Sequence, residues 1–369
     1  MRGSVVKRGK SYSVVLDLPR GADGKRKQKW ISAGSTKREA DRKLSEVMDT
    51  AHNGTLVEPS RETVSQFMSR WLETEVRHTR RSKTYKSYDM ISRLYMQPPI
   101  GGVRMQNVKP SHVQSVIAGV LDKGLSPTTA RRTWATMHVA FKAAVQWDLI
   151  RRNPCDNLKP PKQAHHEIIP PSKAEVLRLL ESAEALPYYA PFHLLAYTGA
   201  RRGEICGIRR EDIDLESGTL SITNTVGRQD GTLVIQPTKS ATSRRMVHLG
   251  LSSINVIRQH LARQAEERLR LGSTYTDRGM LFTSPTGRLL DPDLLSKNWK
   301  RLCDKERVTY RLHDLRHFHA TALIAAGVHI KAIQGRLGHS SPSLTMAIYA
   351  HLTPQMDKDA ALMFESAMA

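Results

Sequence analysis

Cysteine is scarce in this chain of 369 residues: Cys155, Cys206 and Cys303 are the only three, and they lie far apart. An odd, dispersed set excludes a disulfide framework and a zinc site of the CxxC kind. No window approaches the roughly 18 to 20 apolar residues that cross a bilayer. The first residues, MRGSVVKRGKSYSV, lack a long apolar signal segment, so a cytosolic location is the expectation. Internal repeats and low-complexity tracts are absent as well. Acidic residues are the other shortage: 35 Asp and Glu stand against 57 Lys and Arg, a formal charge of +22. These shortages exclude secreted, membrane-spanning, collagenous and disulfide-rich classes. The charge favours a polyanionic partner, either nucleic acid or an anionic membrane surface. With 39% hydrophobic residues there is material for real cores, and the length suits about two to three domains.

The basic excess is uneven. Residues 1–57 carry 13 basic and 6 acidic side chains, and residues 60–164 carry 18 and 7. Residues 165–369 carry 26 and 21, a balance ordinary for an enzyme. The basic surface therefore belongs to the first half of the chain.

Pattern divides the chain into modules. Tyr12, Val14, Leu16 and Leu18 alternate as in a half-buried strand, and a Gly-rich turn at 20–24 leads to a strand around Lys29-Trp30-Ile31. Thr36 and Glu39 form a capping box for a helix that stops near Gly54. A small α+β domain over 1–57 follows, a three-stranded sheet plus one helix. Its lysines, with Lys25, Lys27 and Lys29 foremost, either contact nucleic acid or merely keep a small domain soluble. Residues 60–155 read as helices only, with apolar faces at Val64–Leu72, Tyr85–Tyr95, Val113–Leu121 and Ala130–Val145. That suits an all-α bundle whose aromatics are core. Lys83, Lys86, Arg131 and Arg132 lie on its polar faces, as solvated surface or as a phosphate-tracking face. Residues 156–171, with Pro160-Pro161 and Pro170-Pro171, read as a linker. From Ser172 to 369 the pattern is mixed α+β. Helices are expected near 172–186, 188–198, 251–270, 293–305, 314–326 and 329–337. A small antiparallel sheet is expected from strands near 219–226, 232–236 and 244–249.

The third module holds a suggestive polar set. Arg201 stands in Thr198-Gly-Ala-Arg-Arg-Gly-Glu204, where one helix ends at a glycine and another begins. Lys239 lies in a polar turn between strand-like runs. His313 and Arg316 are three apart and share a helical face. His339 follows Leu337-Gly338, and Tyr349 comes ten residues later. Two guanidiniums suit the non-bridging oxygens of a phosphodiester, which they can grip bidentately. A tyrosine hydroxyl, with a reference pKa of about 10, becomes a nucleophile only beside a proton acceptor and cations. His313 could accept that proton, Lys239 could protonate a departing sugar oxygen, and His339 could hydrogen-bond the phosphate. Such chemistry requires no metal or other cofactor. His313, His317 and His319 have no HExxH or cysteine pair to make a zinc site. Singly, each residue has a bland role: Tyr349 packs in a helix, and Arg201 pairs with Glu204 on the surface.

Taken in order, Arg201 in TGARRGE, Lys239, His313-x-x-Arg316, Leu-Gly-His339 and Tyr349 resemble the signature of the tyrosine recombinase, or phage integrase, family. The first two modules are similar to that family's arm-site-binding and core-binding domains. Ala200, where the family often has leucine, departs from the pattern only at a packing position. The resemblance implies that Tyr349 attacks a DNA phosphodiester to give a 3′-phosphotyrosyl link and a free 5′-hydroxyl. Arg201 and Arg316 would clamp the phosphate, Lys239 would be general acid, His313 general base, His339 an assisting donor, and Glu204 a support of the Arg201 loop. Two rounds of exchange through a Holliday junction would join two duplexes without ATP. It also implies double-stranded DNA with core and arm sites as partner, and a homotetramer on that DNA. A host DNA-bending protein, an excision factor and a location on the nucleoid in the cytoplasm of a bacterial host complete the expectation. Ala360, Ala361, Leu362, Met363 and Phe364 either dock on a neighbouring subunit or fold back. Two other functions stay open on sequence: a topoisomerase of the type IB kind, and a DNA-binding regulator with a silent centre.

Overall fold

The computed structural model of the chain describes residues 3–18, 27–52, 60–162, 169–238 and 241–338, with 364, 365 and 368. Its two compact units, 1–166 and 167–369, are taken in turn.

The first unit opens with the expected sheet and helix. Strands β1 (Gly3–Arg8), β2 (Ser11–Leu18) and β3 (Lys27–Ser32) are antiparallel in that order, with Val14 opposite Val5 on one side and Ile31 on the other. Helix α1 (Lys37–His52) lays Ala40 and Val47 on buried Val14 and Leu16. Glu39 caps its start, accepting the backbone N–H groups of Ser35 and Thr36.

The helical part of this unit buries Phe67, Trp71, Met96, Met137 and Phe141 at its centre. Helix α2 (Val64–Trp71) passes through a π-helical turn, Leu72–Val76, into α3 (Arg77–Thr79). Helix α4 (Ser82–Ile91) likewise passes through Ser92–Met96 into α5 (Gln97–Ile100). Helices α6 (Pro110–Asp122) and α7 (Pro127–Gln146) complete it. The π turns are what the apolar pattern misses. An extra residue per turn rotates the face that follows, so Leu94, expected on the apolar stripe, is 50% exposed. The aromatics are core as expected: Tyr88 stacks on Trp71 with centroids 5.6 Å apart. The start of the proline-rich segment is held to the bundle, with Leu158 against the core and the Pro161 carbonyl accepting from Arg131 at 3.2 Å.

The second unit is mixed α+β, as expected. Helices α8 (Lys173–Ala183), α9 (Tyr189–Thr198) and α10 (Arg202–Cys206) precede β4 (Ile213–Asp214), β5 (Thr219–Ile222), β6 (Asn224–Gln229), β7 (Thr232–Pro237) and β8 (Arg245–His248). Helices α11 (Leu251–Leu271), α12 (Pro292–Lys305), α13 (Asp314–Ala325) and α14 (Ile330–Leu337) follow. Phe192, Phe282 and Trp299 anchor the shared core.

The single expected sheet is corrected to two. β4, β5 and β8 form one, and β6 and β7 form the other. The expected strand 219–226 breaks at Thr223, whose carbonyl accepts from the Thr238 N–H at 3.0 Å. The two sheets are a bent ribbon: Ile222 pairs with Arg245, and Asn224 with Pro237. A pattern of alternating residues reads straight through such an interruption.

Gly199 closes α9 with φ +64. A Cβ there would stand 2.5 Å from Leu337 Cδ2 and 2.9 Å from His319 Cδ2. The left-handed backbone alone costs a non-glycine residue roughly 1–2 kcal/mol. Gly199→Ala is therefore expected to lower the denaturation midpoint of the whole chain, read by urea unfolding followed by tryptophan fluorescence. An unchanged midpoint would contradict this packing.

Candidate active site

The site assembles where α9, α10, α13 and α14 meet. Arg201 is the residue before α10, and Glu204 sits three positions into the turn. The Glu204 carboxylate accepts the Arg201 backbone N–H at 2.9 Å and Arg201 Nη1 at 2.6 Å. Its Oε2 also takes Nη2 of Arg245 at 2.9 Å. Glu204 is 3% exposed. Burial by itself would raise its pKa, but Arg245 and Arg201 outweigh that and hold the carboxyl below the ordinary range.

Arg316 rises from the first turns of α13 and is 4% exposed. Its Nη1 donates to the Gly199 carbonyl at 2.6 Å and its Nη2 to the Leu337 carbonyl at 2.7 Å. Burial, with Arg201 close by, lowers its pKa to about 9, which leaves it charged at neutral pH.

The end of α14 ties these arginines together. A helix leaves its last carbonyls without intrahelical partners. Here the Arg336 carbonyl accepts from Arg245 Nε at 2.6 Å, Leu337 from Arg316, and Gly338 from Arg201 Nη2 at 3.2 Å. Three successive carbonyls are thus held by three guanidiniums, at the negative end of a helix dipole. Gly338 takes the left-handed conformation, φ +65, and the chain leaves toward residue 339.

His313 precedes α13 and lines a cavity of about 760 Å³ together with Arg201, Arg202, Lys300 and Arg311. The residue is exposed by surface area, while partial burial of the ring, then the nearby His317 and Arg316, lower its pKa to about 4. The ring is neutral at pH 7. Its neighbour His317 stands edge-on, centroids 5.1 Å apart.

Of the expected set, Arg201, Glu204, His313 and Arg316 come together. Lys239, His339 and Tyr349 lie outside the described residues, as does Lys25. β7 and β8, on either side of Lys239 in the chain, lie in different sheets and do not pair with each other. Among the described residues no group of three or more His, Cys, Asp or Glu is placed to hold a metal ion.

Sequence reasoning missed Arg245, Arg336 and the role of His319. His319 is buried; its Nδ1 lies 3.0 Å from the Ala196 carbonyl and its Nε2 accepts from Arg336 Nε at 3.1 Å. That pairing requires the neutral ring with its proton on Nδ1, and burial lowers its pKa to about 4. Arg336 reaches on to the carbonyls of His248 and Tyr197. The only signal for these residues was their closeness in sequence to candidates, in SRR245 and GR336LG.

The expected DNA-contacting residues are less gathered. Lys83 and Lys86 are exposed on α4. Arg131 and Arg132 are exposed at the start of α7, and Arg132 donates to Ser87 Oγ at 3.2 Å. On β3 the backbone of Lys29 pairs with Leu16, and that of Lys27 with Leu18. Next to Lys29 on the same strand is Trp30, 46% exposed, with the Arg8 guanidinium 4.6 Å from its ring centroid. That pair escaped the sequence pattern because β1 and β3 are not adjacent in sequence.

Three segments match known families. Residues 172–356 match the phage integrase family, residues 63–120 the phage integrase N-terminal SAM-like domain, and residues 4–51 an arm DNA-binding domain. A protein of Caldanaerobacter subterraneus subsp. tengcongensis described as tyrosine recombinase XerC-like is 30% identical over 376 residues, 96% of each chain. Among solved structures, the Tn1549 transposon integrase in complex with transposon right end DNA aligns with a TM-score of 0.71 at 24% identity, over 83% of this chain and 99% of that one. A lambda integrase tetramer bound to a Holliday junction aligns with a TM-score of 0.59 at 18% identity, over 92% of each chain. The likeness to these structures is one of fold. No helix among the described residues is long and apolar enough to cross a membrane.

The buried rings give a pH expectation. His193 and His319 each have a pKa near 4 in the folded chain, against about 6.5 unfolded. Below pH 6.5 the unfolded chain binds more protons, so folding loses stability steadily as pH falls toward 4. Glu204 adds a loss only at the acid end, because its folded pKa lies below the carboxylate range. Melting temperatures between pH 7.5 and 5 should fall continuously, and a flat profile would contradict neutral buried rings.

Proposed function

The chain belongs to the phage integrase family and is a tyrosine-type site-specific DNA recombinase of a mobile element; we propose that Tyr349 is its nucleophile and that Arg201, Lys239, His313, Arg316 and His339 complete the centre. The observation that carries this is the side-by-side placement of Arg201 and Arg316 on consecutive carbonyls of α14, beside His313 at a cavity.

The Tyr349 oxygen attacks the scissile phosphorus, and its proton passes to neutral His313. The pentavalent charge is met by the two guanidiniums, which are already placed and need no reorganisation. Lys239 protonates the 5′-oxygen as the phosphorus–oxygen bond breaks, and His339 donates to a non-bridging oxygen. The product is a 3′-phosphotyrosyl link and a free 5′-hydroxyl. A 5′-hydroxyl from a second duplex then attacks that link and releases the tyrosine. Each step exchanges one phosphoester for another, so ATP is not needed. Two such rounds pass through a Holliday junction in a homotetramer.

Residues 1–57 form an arm-site domain, 60–155 a core-site domain, 156–171 a linker, and 172–369 the catalytic domain with its tail. Lys25, Lys27, Lys29, Lys83, Lys86, Arg131 and Arg132 contribute to the grip on double-stranded DNA. Binding arm and core sites at once raises effective concentration and calls for bent DNA. A host DNA-bending protein is the fitting partner, with an excision factor for the reverse reaction, on the nucleoid of a bacterial cytoplasm. The arm domain match at 4–51 favours integration over simple DNA relaxation.

Incubation with a nicked duplex spanning an insertion junction of the element that encodes the chain should trap a denaturant-resistant protein–DNA adduct. Tyr349→Phe should form none, and an adduct persisting in that variant would remove Tyr349 from its role. Deleting residues 1–57 should abolish integration while core-site cleavage stays within about threefold. Equal loss of both would contradict separate arm binding. Adduct yield should also fall steeply between 50 and 200 mM salt, because releasing counterions from the phosphates gains less free energy as bulk salt rises.

A further inference from the structure

We propose that Arg245 is a positioning residue of the recombination centre: a buried guanidinium that sets Arg201, Ser243 and the end of α14 against one another. The proposal rests on Arg201, Lys239 and His339 being site residues.

Arg245 opens β8, and its side chain is only 5% exposed. It is absent from the lining of the cavity that Arg201 and His313 share. It is thus placed behind the clamp. Its donors go to three different segments. Nη2 meets Glu204 Oε2 at 2.9 Å, on the α10 turn that also fixes Arg201. Nη1 meets the Ser243 carbonyl at 3.0 Å, inside the loop that holds Lys239. Nε meets the Arg336 carbonyl at 2.6 Å, two residues before Gly338, where the chain leads to His339. A Cβ on Gly338 would stand 3.0 Å from Arg245 Nη1, so the turn before His339 is packed directly on this guanidinium.

A purely stabilising role would not call for this residue. A buried ion pair is commonly matched or bettered by well-packed apolar groups of similar volume. What an apolar residue cannot supply is three directed donors in a fixed plane, which a guanidinium holds rigidly. Lysine carries the charge but offers a flexible point donor. The three segments so joined each bear one member of the proposed centre, and they are far apart in sequence. A displacement of about 1 Å at a reacting group can cost on the order of a hundredfold in rate.

The test uses the full chain and the nicked insertion-junction duplex, measuring single-turnover adduct formation beside DNA affinity and melting temperature. Arg245→Met should slow adduct formation about a hundredfold with DNA affinity within threefold. Arg245→Lys, which keeps the buried charge and so guards against simple misfolding, should remain slowed by about tenfold or more. The double variant Arg201→Ala with Arg245→Met should be slowed by clearly less than the product of the two single losses, because part of what Arg245 does is to hold Arg201. Folded Arg245→Lys at the parental rate, or fully multiplicative losses in the double variant, would overturn the positioning role. Arg201→Ala at the parental rate would instead overturn the site reading on which the role rests.

Discussion

One buried carboxylate organises this catalytic unit. Glu204 is 3% exposed, yet it holds the Arg201 backbone, the Arg201 guanidinium and Arg245 together. Removing one partner from such a pair leaves an uncompensated charge and typically costs about 3–5 kcal/mol. The pair is therefore a weak source of net stability and a strong source of geometry. Everything around it follows from satisfying charges that have been taken out of water.

The end of α14 is the second half of that arrangement. Its last carbonyls carry the negative pole of a helix, and they attract the guanidiniums of Arg201, Arg245 and Arg316. Arg201 and Arg316 would otherwise repel each other at close range. The consecutive carbonyls of Leu337 and Gly338 let two like charges sit side by side. Preplaced cations of this kind are what electrostatic preorganisation demands.

The rest of the unit supports this corner. Gly199 lets α9 end close against His319 and Leu337. His319 stays neutral between Ala196 and Arg336, so the wall behind Arg316 carries no further positive ring. The break at Thr223 separates the β6–β7 pairing from that of β5 and β8, which stay in register.

The sequence alone determined much of the fold class and the composition of the candidate site. The capping box at Thr36/Glu39, and the apolar faces of α2, α6 and α7, are set by neighbours three or four residues apart and can be read locally. Arg201 and Arg316 were legible because the order and spacing of the set resemble a known family. Only tertiary structure decided that Arg245 faces Glu204 across 41 positions, and that three guanidiniums share the end of α14. It alone split the expected sheet in two and exposed Leu94. The reason is physical: periodicity records which face of a segment avoids water, whereas the pairing of buried charges depends on which segments meet, and no local pattern carries that information.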